Sequence, residues 1–204
     1  MKFWFFVEGE SELALARQVI RTVHHGSIEE KSLVRFVSDP VSDKVVFSCF
    51  DCNSVDNIPY RLADHLSNII KSQALIVVLC DVEKLGCFTN RRAEVLKKFD
   101  ASRSGQVRCV FAKPMIEAIY WSYPDVIKST MKKLAQYNKL SIPEFEIPKV
   151  ERNYKGALSD LCKKYGLRYR EGEFAEHFFG SVGNRIENSL ELKRLQEVLK
   201  CTET

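Results

Sequence analysis

KFWFFVEGESE, residues 2–12, and ALIVVLCDVE, residues 74–83, decide the fold, because each sets acidic residues directly behind an uninterrupted apolar run. A short apolar run without polar alternation is the pattern of a strand covered on both faces, which is how parallel sheets are built. The first stretch predicts a strand over residues 2–7 and the second a strand over 74–80. Behind the first strand, Leu13, Ala16, Val19, Ile20 and Val23 recur at helical spacing, and His24, His25 and Gly26 mark the end of that helix.

Working outward, residues 33–37 and 44–50 read as strands separated by the turn formers Asp39, Pro40 and Asp43. Ile58, Leu62, Leu66, Ile69 and Ile70 give an amphipathic helix over 57–71. A further helix begins at Thr89, a strand covers 107–112, and Pro114 opens another helix at the first-turn position where proline is tolerated. Strands alternating with helices predict an α/β, Rossmann-like domain with a mostly parallel sheet. Past residue 123 the pattern turns helical, over 125–137, 154–165, 173–182 and 190–200, interrupted by a proline-rich irregular stretch at 142–150. The expected organisation is an α/β body over 1–123 and a C-terminal helical extension, 124–204, packed on it.

A chain of 204 residues, 45% hydrophobic and 28% charged, buries a sizeable core, which excludes a disordered chain. A formal net charge of +4 favours a polyanionic partner by long-range attraction, without the excess of a histone. The seven cysteines are an odd number, and the apolar start is cut short at Glu8, well before a signal-peptide core or a membrane span. These features predict a reduced, cytoplasmic protein with no membrane association.

The acids stand where such sheets bind ligands. Right-handed crossovers keep the strands parallel, so their carboxyl ends share one edge. With the first strand in the middle of the sheet, Glu8 faces Asp81 and Glu83 across one crevice. Carboxylates crowded in this way repel unless a cation stands between them, and hard oxygen donors select Mg2+, Mn2+ or Ca2+. Such a site suits phosphodiester chemistry. Glu12, four residues beyond Glu8, lies one helical turn on and can point back to the same ion, and Gly9 leaves room for close backbone approach. The alternative for Glu10, Ser11 and Glu12 is that they cap the helix and complement its dipole.

FFVEGESE followed by IVVLCDVE resembles the TOPRIM fold, over roughly residues 2–120. The Val-Glu-Gly-x-x-Glu form is similar to OLD-type nucleases and to small TOPRIM-like proteins of bacterial antiphage systems. The resemblance implies a Mg2+- or Mn2+-dependent endonuclease with metal binding by Glu8, Glu12, Asp81 and Glu83, where Glu83 replaces the aspartate usual in the family's D-x-D pair. The stretch Phe111 to Ala118 resembles a strand-end segment of the same small proteins. It implies phosphate contact by Lys113 and a water-mediated metal contact by Glu117, against the plain alternative of a surface lysine and a helix-face acid. By the same resemblance the partners are nucleic acid and an ATPase subunit, since the sequence holds no Gly-x-x-x-x-Gly-Lys loop, and a homo-oligomer is compatible with it. A TOPRIM-like interaction subunit without strong catalysis is the rival reading.

Weaker signals are kept apart. Cys49 and Cys52 form a Cys-x-x-Cys without a second ligand pair, which argues against zinc. His24, His25, His65 and His177 stand in no catalytic order and read as surface or core histidines. Arg91, Arg92, Lys97, Lys98, Arg103 and Arg108 form either a basic rim for a nucleic-acid backbone or a solvated face. Tyr165, Arg168, Tyr169 and Arg170 suit either stacking on unpaired bases or the packing of a helix end.

Overall fold

Strand β1 (Lys2–Val7) occupies the middle of a parallel sheet and is buried from Phe3 to Val7. The computed structural model describes residues 1–24, 28–32, 45–65, 67–68, 74–81, 93, 107–112, 116–183, 185 and 190–200. Among these, the other strands are β2 (Ile28–Glu30), β3 (Val45–Asp51), β4 (Leu75–Asp81) and β5 (Val107–Ala112), in the spatial order β2-β3-β1-β4-β5. Every described pairing is parallel. The chain is thus an α/β protein of Rossmann-like architecture, with the first strand beside β4 as the sequence predicts. The strand expected at 33–37 and the helix expected from Thr89 lie outside the described residues, apart from Ala93. Strand β2 has no counterpart in the sequence reading: a three-residue edge strand with two glutamates lacks the apolar signal of a covered one.

Both sheet faces are covered. Phe3, Phe5 and Val7 share a core with Phe47, Val77 and Leu79 and with helix α1 (Glu10–Val23), which buries Leu15, Ala16, Val19 and Ile20. Trp4 and Phe6, pointing the opposite way by the two-residue period of a strand, meet His65 at ring-centroid distances of 6.0 and 6.4 Å, just past helix α2 (Ile58–Asp64). Helix α2 covers the first part of the helix expected over 57–71; residues 67 and 68 are again helical, and 66 and 69–71 lie outside the described residues.

Five further helices follow: α3 (Glu117–Trp121), α4 (Pro124–Tyr137), α5 (Tyr154–Lys164), α6 (Glu171–Val182) and α7 (Leu190–Lys200). Residues 140–150 form no regular structure, as the prolines at 143 and 148 lead one to expect. The boundary expected at residue 123 falls inside an aromatic cluster, in which Tyr120 meets Phe178 at 4.6 Å, Phe174 at 5.4 Å and Phe179 at 5.6 Å. Helix α6 therefore packs through its phenylalanines on the segment that leaves the sheet, and one buried apolar cluster runs from β1 to α7.

Phe178 is fully buried. Its replacement by Ala is expected to lower the free energy of unfolding by about 3–5 kcal/mol, as truncations of packed aromatic residues do, measured by urea titration. A loss below about 1 kcal/mol, within the range of surface changes, would show that the C-terminal helices do not share the core of the sheet.

Candidate functional site

Three acids stand at three adjacent strand ends: Glu8 directly after β1, Asp51 at the end of β3 and Asp81 at the end of β4. The register sets Val7 opposite both Asp51 and Leu79, so these side chains leave the sheet at one edge. The ladder continues one step further, where Cys52 N–H donates to Val7 O at 2.9 Å and Glu8 N–H donates to Leu79 O at 3.1 Å. They open on a crevice of about 420 Å³, also lined by Gly9, Glu10, Glu12, Asn53, Glu117, Lys155 and Glu171. Among the described residues, the crevice gathers seven carboxylates and one lysine.

Each acid is held differently. Glu12, in the first turn of α1, is only 3% exposed, and a Cβ added at Gly9 would stand 3.6 Å from its Oε2, so its carboxylate folds back over Gly9. Gly9 is extended, with φ of −162°, so its value there is space and not dihedral freedom. The Glu8 carboxylate is tied to the neighbouring strand, accepting the Asp81 N–H on Oε2 at 3.0 Å. Asp81 in turn accepts the Ile116 N–H on Oδ1 at 2.7 Å. Asp51 accepts the N–H of Asn53 at 2.7 Å. Glu117 opens α3 with 2% exposure, and its Oε1 lies 3.7 Å from Lys155 Nζ. Lys155 also pairs with Glu171.

This crowding shows in the protonation of the acids. Burial raises Glu12 from 4.5 to about 8, with repulsion from Glu8, Glu171 and Glu117 adding to it and its own backbone N–H working against it. Burial likewise raises Asp81 from 3.8 to about 9, reinforced by Glu12, Glu117 and Glu8 and opposed by the Ile116 N–H. Glu117 is also raised by burial, while Lys155 pulls it back. Neither Glu12 nor Asp81 has an ion-pair partner among the described residues.

The donor chemistry fits a hard divalent cation: oxygen ligands only, partly desolvated, whose mutual repulsion such an ion would cancel. Among the described residues no group of three or more His, Cys, Asp or Glu side chains stands so as to hold a metal ion. Glu8 and Asp81 each accept a backbone amide on one carboxylate oxygen.

Of the residues predicted from sequence, Glu8, Glu12, Asp81 and Glu117 meet on this one crevice. Glu83 and Lys113 lie outside the described residues, as do His25, Arg91, Arg92, Lys97, Lys98 and Arg103. Of the alternative raised for Glu10, Ser11 and Glu12, the dipole part stands, since Glu10 and Glu12 lie in the first turn of α1, and the capping part is corrected. No side chain caps α1; instead Glu10 Oε2 accepts the Gly172 N–H at 3.1 Å, and the Ser11 hydroxyl donates to Glu171 at 3.3 Å. Both residues hold the start of α6. Asp51 escaped the sequence reading although it ends a strand just as Asp81 does. Lys155 and Glu171 carry no local signal at all.

Cys52, His24, His65, His177, Tyr165 and Tyr169 are engaged in packing. Cys52 is buried, and burial pushes its thiol up to about 12. His24 lies against Phe3 at 5.5 Å, His65 against Phe50 at 5.0 Å, and His177 stacks on Tyr137 at 5.4 Å. Tyr165 packs on Phe145 and Tyr169 on Phe174. No helix among the described residues is long and apolar enough to cross a membrane. Compared with family models, curated proteins and solved structures, the chain matches none.

Glu12 and Asp81 bind protons in the fold that the unfolded chain has already released, so their contribution to stability is fully present below the ordinary range near 4 and is lost as pH rises through about 8 and 9. In EDTA the melting temperature is therefore expected to fall between about pH 5 and about pH 9, and Asp81→Asn to flatten that decline. A melting temperature that rises across this window, or a slope unchanged in Asp81→Asn, would contradict the assignment.

Proposed function

We propose that this chain is a divalent-cation-dependent nuclease of the TOPRIM type, hydrolysing nucleic-acid phosphodiesters with Mg2+ or Mn2+ held among Glu8, Glu12 and Asp81. The observation that carries this reading is the convergence, on one crevice at the carboxyl edge of a parallel sheet, of acids 73 residues apart in sequence, linked through the Asp81 N–H to Glu8 Oε2. Two of those acids, Glu12 and Asp81, are raised toward the neutral form by burial and mutual repulsion, an electrostatic cost that a bound divalent cation would offset.

A metal bound there would activate water and neutralise charge on the phosphate. The chain's own residues do the positioning. Glu8 locks the end of β4 beside β1, the Ile116 N–H orients Asp81, and Glu117 adds a further acid at the rim of the same crevice. Glu83 and Lys113 keep the metal and phosphate roles that the TOPRIM resemblance implies. The same resemblance supports nucleic acid as substrate, an ATPase subunit as partner and a place as effector in an antiphage defence module.

A second reading has its own observation. Glu8 and Asp81 each satisfy a backbone amide, Lys155 pairs with Glu117, and no three acids of the described residues form a ligand set. A TOPRIM-like interaction subunit, with its acids used as internal struts, would look like this too.

One assay separates the two. Purified chain with Mg2+ or Mn2+ is expected to cut at least one substrate among duplex DNA, tRNA and ribosomal RNA. Asp81→Asn and Glu12→Gln are each expected to lower the rate by more than roughly 10–100-fold, the loss typical of mere outer-shell partners of a metal. Cleavage that continues in EDTA or in Asp81→Asn would sink the nuclease reading.

A further inference from the structure

Lys155 reaches the acid crevice from the C-terminal helices, at the first turn of α5. Its Nζ stands 3.7 Å from Glu117 Oε1 and pairs with Glu171, the first residue of α6. The two ends of the Lys155–Glu117 pair differ sharply in environment: the side chain of Glu117 is 2% exposed, that of Lys155 51%. A buried acid is thus reached by a flexible arm rooted in solvent.

Glu171 does not drift with that arm. The Ser11 hydroxyl donates to Glu171 Oε1 at 3.3 Å, and the buried Tyr120 hydroxyl donates to Ser11 at 3.2 Å. Next to it, the Gly172 N–H donates to Glu10, and a Cβ on Gly172 would run into that carboxylate, so glycine permits the close approach. The start of α6 is fixed to the start of α1, and the ammonium is anchored at the mouth of the crevice.

We infer that the Lys155 ammonium is a built-in counter-ion of the crevice that competes with a divalent cation and must withdraw into solvent before the carboxylates around Glu117 and Glu12 can close on metal. This rests on the metal-site reading above and goes beyond it by naming what sets the cation concentration at which the site fills. A lysine suits the task. Its charge is a compact, strongly hydrated point on a mobile stem, and half of the side chain already stands in water, so the ammonium can exchange Glu117 for solvent once another cation compensates that acid. A divalent ion held among acids of the same crevice would be repelled by the ammonium.

The test is Mn2+ binding by the full chain, followed through the paramagnetic resonance signal of free Mn2+ and, in parallel, by the rise in melting temperature with added Mn2+. Wild type, Lys155→Met, Lys155→Gln and Lys155→Arg are compared, each checked for a cooperative melt in EDTA. Both neutral variants are expected to bind Mn2+ roughly tenfold tighter than wild type, from the loss of one nearby positive charge; should one of them not fold, the other suffices. Lys155→Arg, which keeps the charge, is expected to bind as wild type does. Wild-type binding with equal or weaker binding in the neutral variants, or tighter binding in Lys155→Arg as well, overturns the counter-ion role and leaves the metal site standing. Absence of Mn2+ binding in every protein overturns both.

Discussion

The parallel pairing of β1 with β3 on one side and β4 on the other is the constraint from which the rest follows. Its apolar residues bury both sheet faces, which fixes the register, and the register delivers the residues after Val7, Phe50 and Cys80 to a single edge. A slip of one residue would send the aromatic set Phe3 and Phe5 to the wrong face. The acids are therefore placed by the hydrophobic core, not by any attraction among themselves. Their mutual repulsion is a cost the fold carries at that edge.

Such a cost can be lowered by protons, by an internal cation or by a bound one, and all three bear on this crevice. Protonation is written in the raised Glu12 and Asp81. The internal cation is Lys155, which pairs with the buried Glu117 and with Glu171. A divalent cation would satisfy the whole group at once and displace both substitutes, which is why the proposed function and the proposed role of Lys155 are two sides of one electrostatic balance.

Legibility from sequence followed burial. Strands β1, β4 and β5 announce themselves as apolar runs, and Glu8 and Asp81 could be placed on the same edge once the strands were taken as parallel. Strand β2, with Glu29 and Glu30 in its three residues, carries no such signal. Asp51 obeyed the same strand-end rule as Asp81 and was readable in principle. Lys155 and Glu171 were not: their place at the crevice comes from the packing of Phe174, Phe178 and Phe179 on Tyr120, a tertiary fact with no local pattern. The same packing explains why Glu10 and Ser11, which look like ordinary helix-capping residues, hold a different helix.

The central claim is that acids held toward the neutral form by burial, and further by their neighbours' charge, become ligands of a divalent ion. Calorimetric titration with Mn2+ near pH 7, repeated in buffers of different ionisation enthalpy, measures it directly through the protons released on binding. The account predicts saturable binding with release of about one to two protons per chain, because metal ligation requires the deprotonated carboxylates. Saturable binding without proton release, or no binding at all, would contradict it.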